Sequence, residues 1–422
     1  MYTIEDLEKE FEIVKTNPIF DETKRMYFGD HQGKIRHGKG FLYTQKFLYF
    51  GEWKDDKYHG FGTLKQNNGH YYTGQWENGM RHGDGSMYTT AYVYHGEYRD
   101  DKMNGIGTIQ FVNGEIHEGT FQNNMKHGKG VSKYPNGTYE GDFKNNKKHG
   151  VGTYTWKNGE IYEGEWVENK RHGTGKYINE KGGIYEGEWT DDRLTGFGRY
   201  KTRDSLYIGQ YVDYKKNGFG KLVTGTYTYE GMFQNDLKHG MGKFEHPQYG
   251  IYVGEWKDGK QDGYGYVHYS NEDYYEGEWK DNLYHGKGML MIKNGPIYKG
   301  YFQKDKYHGK GTLRLQDGKT YKGMFVQGKR HGTGKMLFPN GNHFVGNFRN
   351  DTCHGTGVYT FSNGVRYFGV WNRDKNRRFS QIYNTLMRDS VRFIKRMDQS
   401  RCIFEQGYLN AMGKTLNNKI SK

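Results

Sequence analysis

Histidines recur at one position of this sequence and are the first residues to test for metal chemistry. Eleven of them precede a glycine at the same point of a repeating unit. Six examples are His82, His127, His172, His239, His285 and His331. Two imidazoles that share a zinc ion at about 2 Å each must bring their nitrogens within roughly 4 Å. If the units are paired strands, equivalent histidines lie two strands apart, about 9 to 10 Å. We therefore predict a structural role for this row and no metal site.

A second candidate for chemistry is the stretch GYLNAMGKT at residues 407–415. A Walker-type phosphate loop places four residues between its glycines and follows a strand, whereas this stretch has five and no strand pattern precedes it. It is the nearest match to a catalytic motif in the chain. The sequence therefore predicts a protein that is not an enzyme and that holds no cofactor.

The repeating unit is 22 or 23 residues long, and the copy at residues 162–177 is YEGEWVENKRHGTGKY. The units open at Tyr27, Tyr49, Tyr72, Tyr94, His117, Tyr139, Tyr162, Tyr185, Tyr207, Tyr229, Tyr252, Tyr275, Tyr298, Tyr321, Phe344 and, truncated, Tyr367. The third position is glycine in all sixteen units, and the fifth is Trp, Tyr or Phe in all but the first, which has His31. A G-x-G follows in all fifteen complete units. Self-similarity of this kind indicates a repeat architecture, here over residues 27–376.

Alternation within the unit indicates two short strands. Tyr162, Gly164 and Trp166 alternate with Glu163 and Glu165, which is the period of two that strands show. Asn-Gly or Asp-Gly dipeptides lie between many units and are strong signals for hairpin turns. The sequence thus predicts an all-β chain, a continuous antiparallel meander of hairpins.

The pairing of large aromatic residues with glycine suggests how one sheet can bury apolar area. We expect Tyr162 and Trp166 to share a face with Gly173 and Gly175 of the paired strand, so that the rings lie on backbone that carries no side chain. Only 33% of the 422 residues are hydrophobic and 64 are glycine, too little apolar volume for a large globular core. About 31 strands at roughly 4.8 Å predict an elongated, single-layer sheet on the order of 150 Å long.

The pattern Y-x-G-x-W, a short turn and H-G-x-G resembles the MORN repeat (membrane occupation and recognition nexus). The resemblance implies a β-hairpin solenoid of about fifteen MORN repeats. MORN arrays occur in radial-spoke head proteins of cilia, junctophilin-type membrane tethers, plant phosphatidylinositol-phosphate kinases, apicomplexan basal-complex scaffolds and a SET-domain methyltransferase. Residues 1–26 and 377–422 are too short for a kinase or SET domain, and no run of about 18 apolar residues is present. Overall the chain resembles the radial-spoke head type.

The two ends are predicted to carry short helices. Residues 1–26 are expected to hold a capping helix with Ile4, Leu7, Phe11 and Val14 on one side, and residues 377–422 a basic amphipathic helix and tail. Residues 372–422 hold 12 Lys or Arg and 4 Asp or Glu, which concentrates positive charge in a short segment. The positive excess of the repeat array is spread over many residues, and we interpret it as a solvated face. The predicted partner-binding residues are Arg377, Arg378, Phe379, Ile382, Leu386, Arg388, Arg392, Phe393, Lys395 and Met397. This helix could cap the last strand edge or dock a partner, and both alternatives stay open.

Two functions fit the sequence. The first is a non-catalytic scaffold that mediates protein–protein interactions in a ciliary, axonemal or other cytoskeletal assembly, with other protein subunits as partners. The second is a peripheral membrane adaptor that binds anionic phospholipids through the repeats and the basic tail. Nucleic acid is disfavoured as a partner because the aromatic rings are needed to cover glycines, so they are not free to stack on bases. A homodimer is compatible with the sequence.

The presence of only two cysteines, Cys353 and Cys402, favours a reducing compartment. We therefore expect the protein in the cytoplasm and cytoskeleton, and specifically in the ciliary axoneme.

Overall fold

The repeats form strands throughout the part of the chain that the structure describes. The computed structural model describes residues 19–20, 26–373 and 375–380, with side chains described for 26–373. These residues are entirely strand, turn and loop, and they include no helix that could cross a membrane. The chain divides into two units, Met1–Lys215 and Lys216–Lys422. The predicted all-β class is confirmed.

In the first unit each strand pairs antiparallel with the next, from the first strand to the eighteenth. The strands are β1 (Ile19–Phe20), β2 (Met26–Gln32), β3 (Ile35–Tyr43), β4 (Phe47–Lys54), β5 (Lys57–Gln66), β6 (Tyr71–Glu77), β7 (Met80–Tyr88), β8 (Tyr92–Arg99), β9 (Lys102–Phe111), β10 (Ile116–Gln122), β11 (Met125–Tyr134), β12 (Gly137–Lys144), β13 (Lys147–Trp156), β14 (Ile161–Val167), β15 (Lys170–Ile178), β16 (Ile184–Thr190), β17 (Arg193–Lys201) and β18 (Ser205–Val212).

The second unit continues the same antiparallel order, from the nineteenth strand to the last. Its strands are β19 (Lys215–Thr224), β20 (Thr228–Gln234), β21 (Leu237–His246), β22 (Gly250–Lys257), β23 (Lys260–Tyr269), β24 (Tyr274–Lys280), β25 (Leu283–Met291), β26 (Ile297–Gln303), β27 (Lys306–Arg314), β28 (Thr320–Val326), β29 (Lys329–Leu337), β30 (His343–Arg349), β31 (Thr352–Thr360), β32 (Arg366–Asn372) and β33 (Lys375–Ser380). Within each unit the predicted meander of hairpins is confirmed.

Each repeat is one hairpin closed by a two-residue turn. In the seventh repeat the turn is Glu168–Asn169, with φ of 53° and 72°. Two consecutive left-handed residues make a type I′ turn, whose twist matches that of paired strands. The repeats are joined by longer loops, such as the one in which Gly159 N–H donates to the Trp156 carbonyl at 3.1 Å. Two consecutive positive φ values recur at the turns of the second to fifteenth repeats, so local turn chemistry sets the register of these hairpins.

The core is a layer of aromatic rings on one side of the sheet, which we call the ring face. Tyr162 is fully buried, and its ring meets Trp166 edge-to-face at 5.1 Å and Trp189 of the next repeat at 5.2 Å. The Tyr162 hydroxyl donates to the Glu165 carbonyl at 3.0 Å, and Trp166 Nε1 donates to the Gly152 carbonyl at 3.0 Å. The polar atoms of these two rings are therefore paired, so both rings are buried without an unsatisfied donor.

Glycines pair with glycines along the line beneath these rings. Gly164 lies opposite Gly175, and Gly175 lies opposite Gly187 of the next repeat. Ring carbons of Tyr162 stand 2.6 Å from the position that a β-carbon on Gly175 would occupy. The predicted placement of a ring over Gly175 is confirmed.

For Gly173 the same prediction is wrong. Gly173 has φ +58°, and a β-carbon on it would clash with the Glu165 carboxylate on the opposite side of the sheet. The register shifts by a bulge between Gly164 and Glu165, which turns Gly173 away from the rings. This glycine is required for its left-handed backbone.

The predicted helix at the C-terminal end is also corrected where the structure describes it. Residues 377–380 belong to β33, which pairs with β32 and forms the second strand of the sixteenth repeat. Phe379 lies opposite Gly369, where each earlier repeat has a glycine in both positions. The rest of that predicted helix, and the predicted N-terminal helix with Ile4, Leu7, Phe11 and Val14, lie outside the described residues.

Candidate functional site

The two sides of the sheet have different accessibility. On the ring face, the second residue after the turn lies over the aromatic layer. In the seventh repeat the Arg171 guanidinium stands 4.2 Å from the Trp189 ring centroid and its Nε donates to Asp192 at 3.0 Å. Such cation–π and ion-pair contacts fix the long side chain over the rings. The ring face is thereby covered by the chain itself.

Lys148 and Lys238 also occupy this covering position, and each lacks the aspartate that pairs with Arg171. Lys148 Nζ lies 4.4 Å from the Tyr154 ring centroid and 4.5 Å from that of Trp166. Lys238 Nζ lies 4.2 Å from Phe244 and 4.6 Å from Trp256. Burial lowers the pKa of each lysine to about 8, because a desolvated ammonium group is disfavoured. Both side chains belong to the packing of the ring face.

The other side, which we call the open face, is built on the bulge of each hairpin. Glu165 accepts a hydrogen bond from the Thr174 backbone N–H at 2.8 Å and covers Gly173. The same contact is made by a carboxylate in seven other repeats, from Asp30, Glu52, Glu97, Asp142, Glu188, Glu255 and Glu278. Hydrogen bonds from backbone N–H groups stabilise the ionised form, and the Thr174 N–H lowers the pKa of Glu165.

The recurrent histidines flank these bulges. His172 lies opposite Glu165, and its Nδ1 is buried with no hydrogen-bond partner. Nδ1 is likewise buried with no hydrogen-bond partner in His37, His59, His127, His149, His239 and His308. Among the residues that the structure describes, no three His, Cys, Asp or Glu side chains are grouped so that they could hold a metal ion. The row is part of the bulge and offers no cluster of ligands.

The residue between the two glycines of G-x-G projects from the open face and varies from repeat to repeat. In seven repeats it is a large apolar residue that is more than half exposed. These residues are Phe61, Ile106, Val151 and Phe197 in the first unit and Phe219, Met241 and Tyr264 in the second. In the first unit they occupy every second repeat, and the intervening repeats have Lys39, Asp84, Lys129 and Thr174. Exposed apolar side chains at one repeated position are typical of an interaction surface.

Charge is distributed unevenly along the array. Residues 27–297 contain 35 Lys or Arg and 35 Asp or Glu, whereas residues 298–371 contain 12 and 3. On the open face of the second unit, Lys322 lies directly opposite Lys335. In the seventh repeat the equivalent pair is Glu163 and Lys176. The whole positive excess of the array therefore resides in its last repeats.

These last repeats also contain an open groove of about 1080 Å³. Its floor is glycine backbone, from Gly334, Gly346, Gly357 and Gly369. Its walls are formed by Lys322, Thr333, Lys335, Val345, Asn347, Thr356, Val358, Phe368 and Val370. The groove thus combines four apolar side chains with two like-charged lysines on one rim.

The sequence-predicted site residues are only partly placed by the structure. Arg377, Arg378 and Phe379 lie in β33, and the other seven, from Ile382 to Met397, lie outside the described residues. Sequence reasoning missed the apolar residues between the glycines and the pair Lys322 and Lys335. Aligning the repeats and comparing one position at a time would have revealed both. Averaging the charge over the whole array concealed the basic end.

Comparison with known proteins identifies the repeat. The family model described as MORN repeat matches residues 49–71, 72–89, 94–116, 117–138, 139–161, 162–184, 185–205, 207–228, 229–250, 252–274, 275–296, 298–320, 321–343 and 344–366. A search of curated proteins finds no match for the chain. The matched segments cover well over half of the 422 residues and coincide with the hairpins described above. The chain belongs to the MORN repeat family.

Proposed function

We propose that this protein is a non-catalytic scaffold that holds other proteins along its open face. The observation that carries the proposal is the row of exposed apolar residues between the glycines of G-x-G. These side chains project from the side opposite the ring layer, and seven repeats expose a large one there. A solenoid that keeps an invariant core and varies one exposed position is suited to presenting different contacts on successive repeats.

The spacing of this row in the first unit suits an extended partner. Apolar residues occur in every second repeat, four strands apart, which is about 19 Å at the usual distance between strands. A partner that lies across the strands would meet one apolar contact at each such interval. The proposed setting is a large cytoskeletal assembly, and specifically the ciliary axoneme, because long MORN arrays without an appended enzyme resemble radial-spoke head proteins.

The scaffold proposal is tested with two matched sets of substitutions in the full chain. One set changes Phe61, Ile106 and Phe197 to serine, and the control set changes Lys39, Asp84 and Lys129 to serine at the same position of other repeats. Each tagged chain is expressed in ciliated cells, and its retention in the detergent-insoluble axonemal fraction is measured. We expect the first set to be released and the control set to be retained. Equal retention of both sets would refute the proposal.

A second function, binding to anionic membranes, is favoured by the basic last repeats. Residues 298–371 carry 12 Lys or Arg and 3 Asp or Glu, and each basic residue near an anionic surface contributes about 1 kcal/mol. The full chain should then sediment with phosphatidylserine vesicles at low salt and detach as salt rises. The double variant Lys322→Glu and Lys335→Glu should bind these vesicles less than the unmodified chain does. The control double variant Lys176→Glu and Arg199→Glu should bind them as well as the unmodified chain does. Absence of binding at low salt would eliminate this function.

A further inference from the structure

The side chains that lie over the aromatic rings are buried more deeply at one end of the array. In the eleventh to fifteenth repeats all five are buried, namely Gln261, Tyr284, Tyr307, Arg330 and Cys353. In the first ten repeats, whose hairpins the structure describes in full, Lys126 is the only buried residue at this position. The ring face of residues 261–353, which we call the covered end, belongs to the second unit.

One ion pair occurs with the same geometry inside and outside the covered end. Arg171 Nε and Asp192 Oδ1 lie 3.0 Å apart, and their side chains are 17% and 45% exposed. Arg330 Nε and Asp351 Oδ1 lie 3.3 Å apart, but their side chains are only 4% and 19% exposed. The repeat itself therefore does not account for the burial at the covered end, and we infer that further chain lies over this pair.

Two tyrosines in matched surroundings differ in the same way. Tyr58 stacks on Tyr49 at 3.9 Å and stays partly exposed. Tyr307 stacks on Tyr298 at 3.8 Å, yet it is 5% exposed and its hydroxyl oxygen is buried. Because the stacking beneath both rings is alike, the difference arises from cover above Tyr307.

Asp305 adds a requirement for positive charge at the covered end. Five aspartates at the equivalent turn position form an ion pair with a basic residue over the rings, as Asp192 does with Arg171. Next to Asp305 that residue is Tyr284, whose backbone N–H donates to the carboxylate at 2.7 Å. Burial raises the pKa of Asp305, because no cation among the described residues offsets the desolvation of its carboxylate. A basic side chain in the cover would stabilise the ionised form.

The cover is part of the same molecule, because the structure contains a single chain. In the second unit, residues 381–422 lie outside the described residues and follow β33 directly. Seventeen of these 42 residues are hydrophobic, a larger fraction than the 33% of the whole chain. Eight are Lys or Arg and three are Asp or Glu. This C-terminal segment therefore offers apolar side chains for the rings and basic side chains for Asp305.

The C-terminal segment is long enough to reach every part of the covered end. Gln261 lies on β23, ten strands before β33, which is about 48 Å at the usual distance between strands. The segment spans about 140 Å when fully extended and still about 63 Å at 1.5 Å per residue. Its reach therefore does not depend on its conformation.

We propose that residues 381–422 of this chain lie across the ring face of the eleventh to fifteenth repeats. They cover Tyr284, Tyr307 and Arg330, and they place a basic side chain against Asp305. The contact is intramolecular and forms a second layer on the last five repeats. It goes beyond the scaffold proposal, which concerns the open face on the other side of the sheet and stands without it.

The test is photo-cross-linking in the full chain, followed by mass spectrometry of the joined peptides. The benzophenone amino acid p-benzoylphenylalanine replaces Tyr307 in one variant and Tyr58 in a matched control. We expect the benzophenone at position 307 to join residues 381–422, and the benzophenone at position 58 not to join them. Equal joining from both positions would show unspecific capture and would overturn the proposal, as would the absence of any link from position 307 to the segment.

Isotope labelling shows whether the contact lies within one molecule. Labelled and unlabelled chains of the Tyr307 variant are mixed before irradiation. The links should join peptides of the same isotopic composition, as an intramolecular contact requires. Links that join labelled to unlabelled peptides in statistical proportion would show a contact between copies, and the proposal would be wrong.

The reactivity of Cys353 provides a second readout that needs no cross-linker. In a full chain with Cys402→Ser, Cys353 is the remaining cysteine and is 2% exposed. Adding Leu386→Ser and Phe393→Ser should loosen the segment and raise the alkylation rate of Cys353 about tenfold or more, because access limits the reaction of a buried thiol. The strand signal in circular dichroism should stay unchanged.

The matched control changes two apolar residues on the other side of the same unit. Phe219→Ser with Met241→Ser, in the Cys402→Ser chain, should leave the alkylation rate of Cys353 as it was, since both side chains are exposed on the open face. Equal rates in the segment variant and in this control would show that residues 381–422 do not cover the ring face.

Discussion

Lys322 and Lys335 lie directly opposite each other on the open face, where the seventh repeat places Glu163 opposite Lys176. Opposed like charges on a sheet are destabilising, and opposed unlike charges contribute about 0.2 to 1 kcal/mol. We therefore expect Lys335→Glu to raise the free energy of unfolding by an amount in this range. The measurement is thermal unfolding at low salt, where screening is weakest.

The matched control for this prediction has the opposite sign. Lys176→Glu places a third carboxylate between Glu163 and Glu186, so it should lower the unfolding temperature. Both shifts should shrink in high salt. If the two substitutions shift stability in the same direction, the cross-strand charges do not decide stability on this face.

A second prediction concerns the line of paired glycines that lies beneath the rings. Gly175→Ala would insert a β-carbon against ring carbons of Tyr162, which stand 2.6 Å from that position. Overpacking of a close-packed site typically costs about 1–3 kcal/mol. Gly225→Ala is the control, because a β-carbon there meets nothing within 4 Å. Hydrogen exchange should quicken in β14 and β15 for the first variant only, and unchanged exchange there would contradict the ring-over-glycine packing.

Much of this packing could be predicted from sequence, and its limits have physical reasons. The alternation around Tyr162 and Trp166 indicates which residues share a face of the strand, and it identifies Gly175 as the glycine that lies beneath a ring. Gly173 was assigned to the same role because alternation assumes a regular strand, and one bulge reverses the side to which a residue points.

The candidate site was harder to predict than the fold. Phe61 and Ile106 fall on the open face by simple alternation, because Gly62 and Gly107 beside them lie beneath rings. What the sequence reasoning missed is that this exposed position is apolar in some repeats and polar in others. Phe379 opens a series of apolar residues at helical spacing, yet residues 377–380 complete the last hairpin as part of β33. Pairing with an available strand edge outweighed local pattern there.

Acid sensitivity provides a third prediction. The Thr174 backbone N–H holds the pKa of Glu165 below its usual value. A carboxylate with a depressed folded-state pKa contributes stability above its unfolded pKa and loses it as pH falls through the folded value. The difference in unfolding temperature between the unmodified chain and Glu165→Gln should therefore shrink as pH drops below about 4.5. The control is Glu163→Gln, which leaves the bulge untouched. A difference that is constant from pH 7 to pH 3 would contradict the assignment.

A fourth prediction applies at high pH. Burial lowers the pKa of Lys148 to about 8, below its unfolded value. Between these two values the unfolded chain binds the extra proton, so stability rises with pH. We expect this rise between pH 8 and about 10 to be smaller in Lys148→Met than in the unmodified chain. Lys147→Met is the control, because exposed Lys147 pairs with Glu168 on the other side of the strand. Identical pH profiles for the two variants would show that Lys148 is not desolvated by the rings.

The central claim is that the ring face stabilises the fold and the open face binds partners. The most direct measurement tests both parts of this claim together. Phe219 and Met241 are exposed on the open face of the second unit, and both can be changed to serine in one full-length chain. The unfolding temperature of the purified chain is measured, together with its retention in the detergent-insoluble axonemal fraction of ciliated cells, which is the setting that we propose. Our account predicts an unfolding temperature within about 1 °C of the unmodified chain, since surface substitutions usually change stability by less than 0.5 kcal/mol, together with loss of retention. A chain that is destabilised yet fully retained would contradict it.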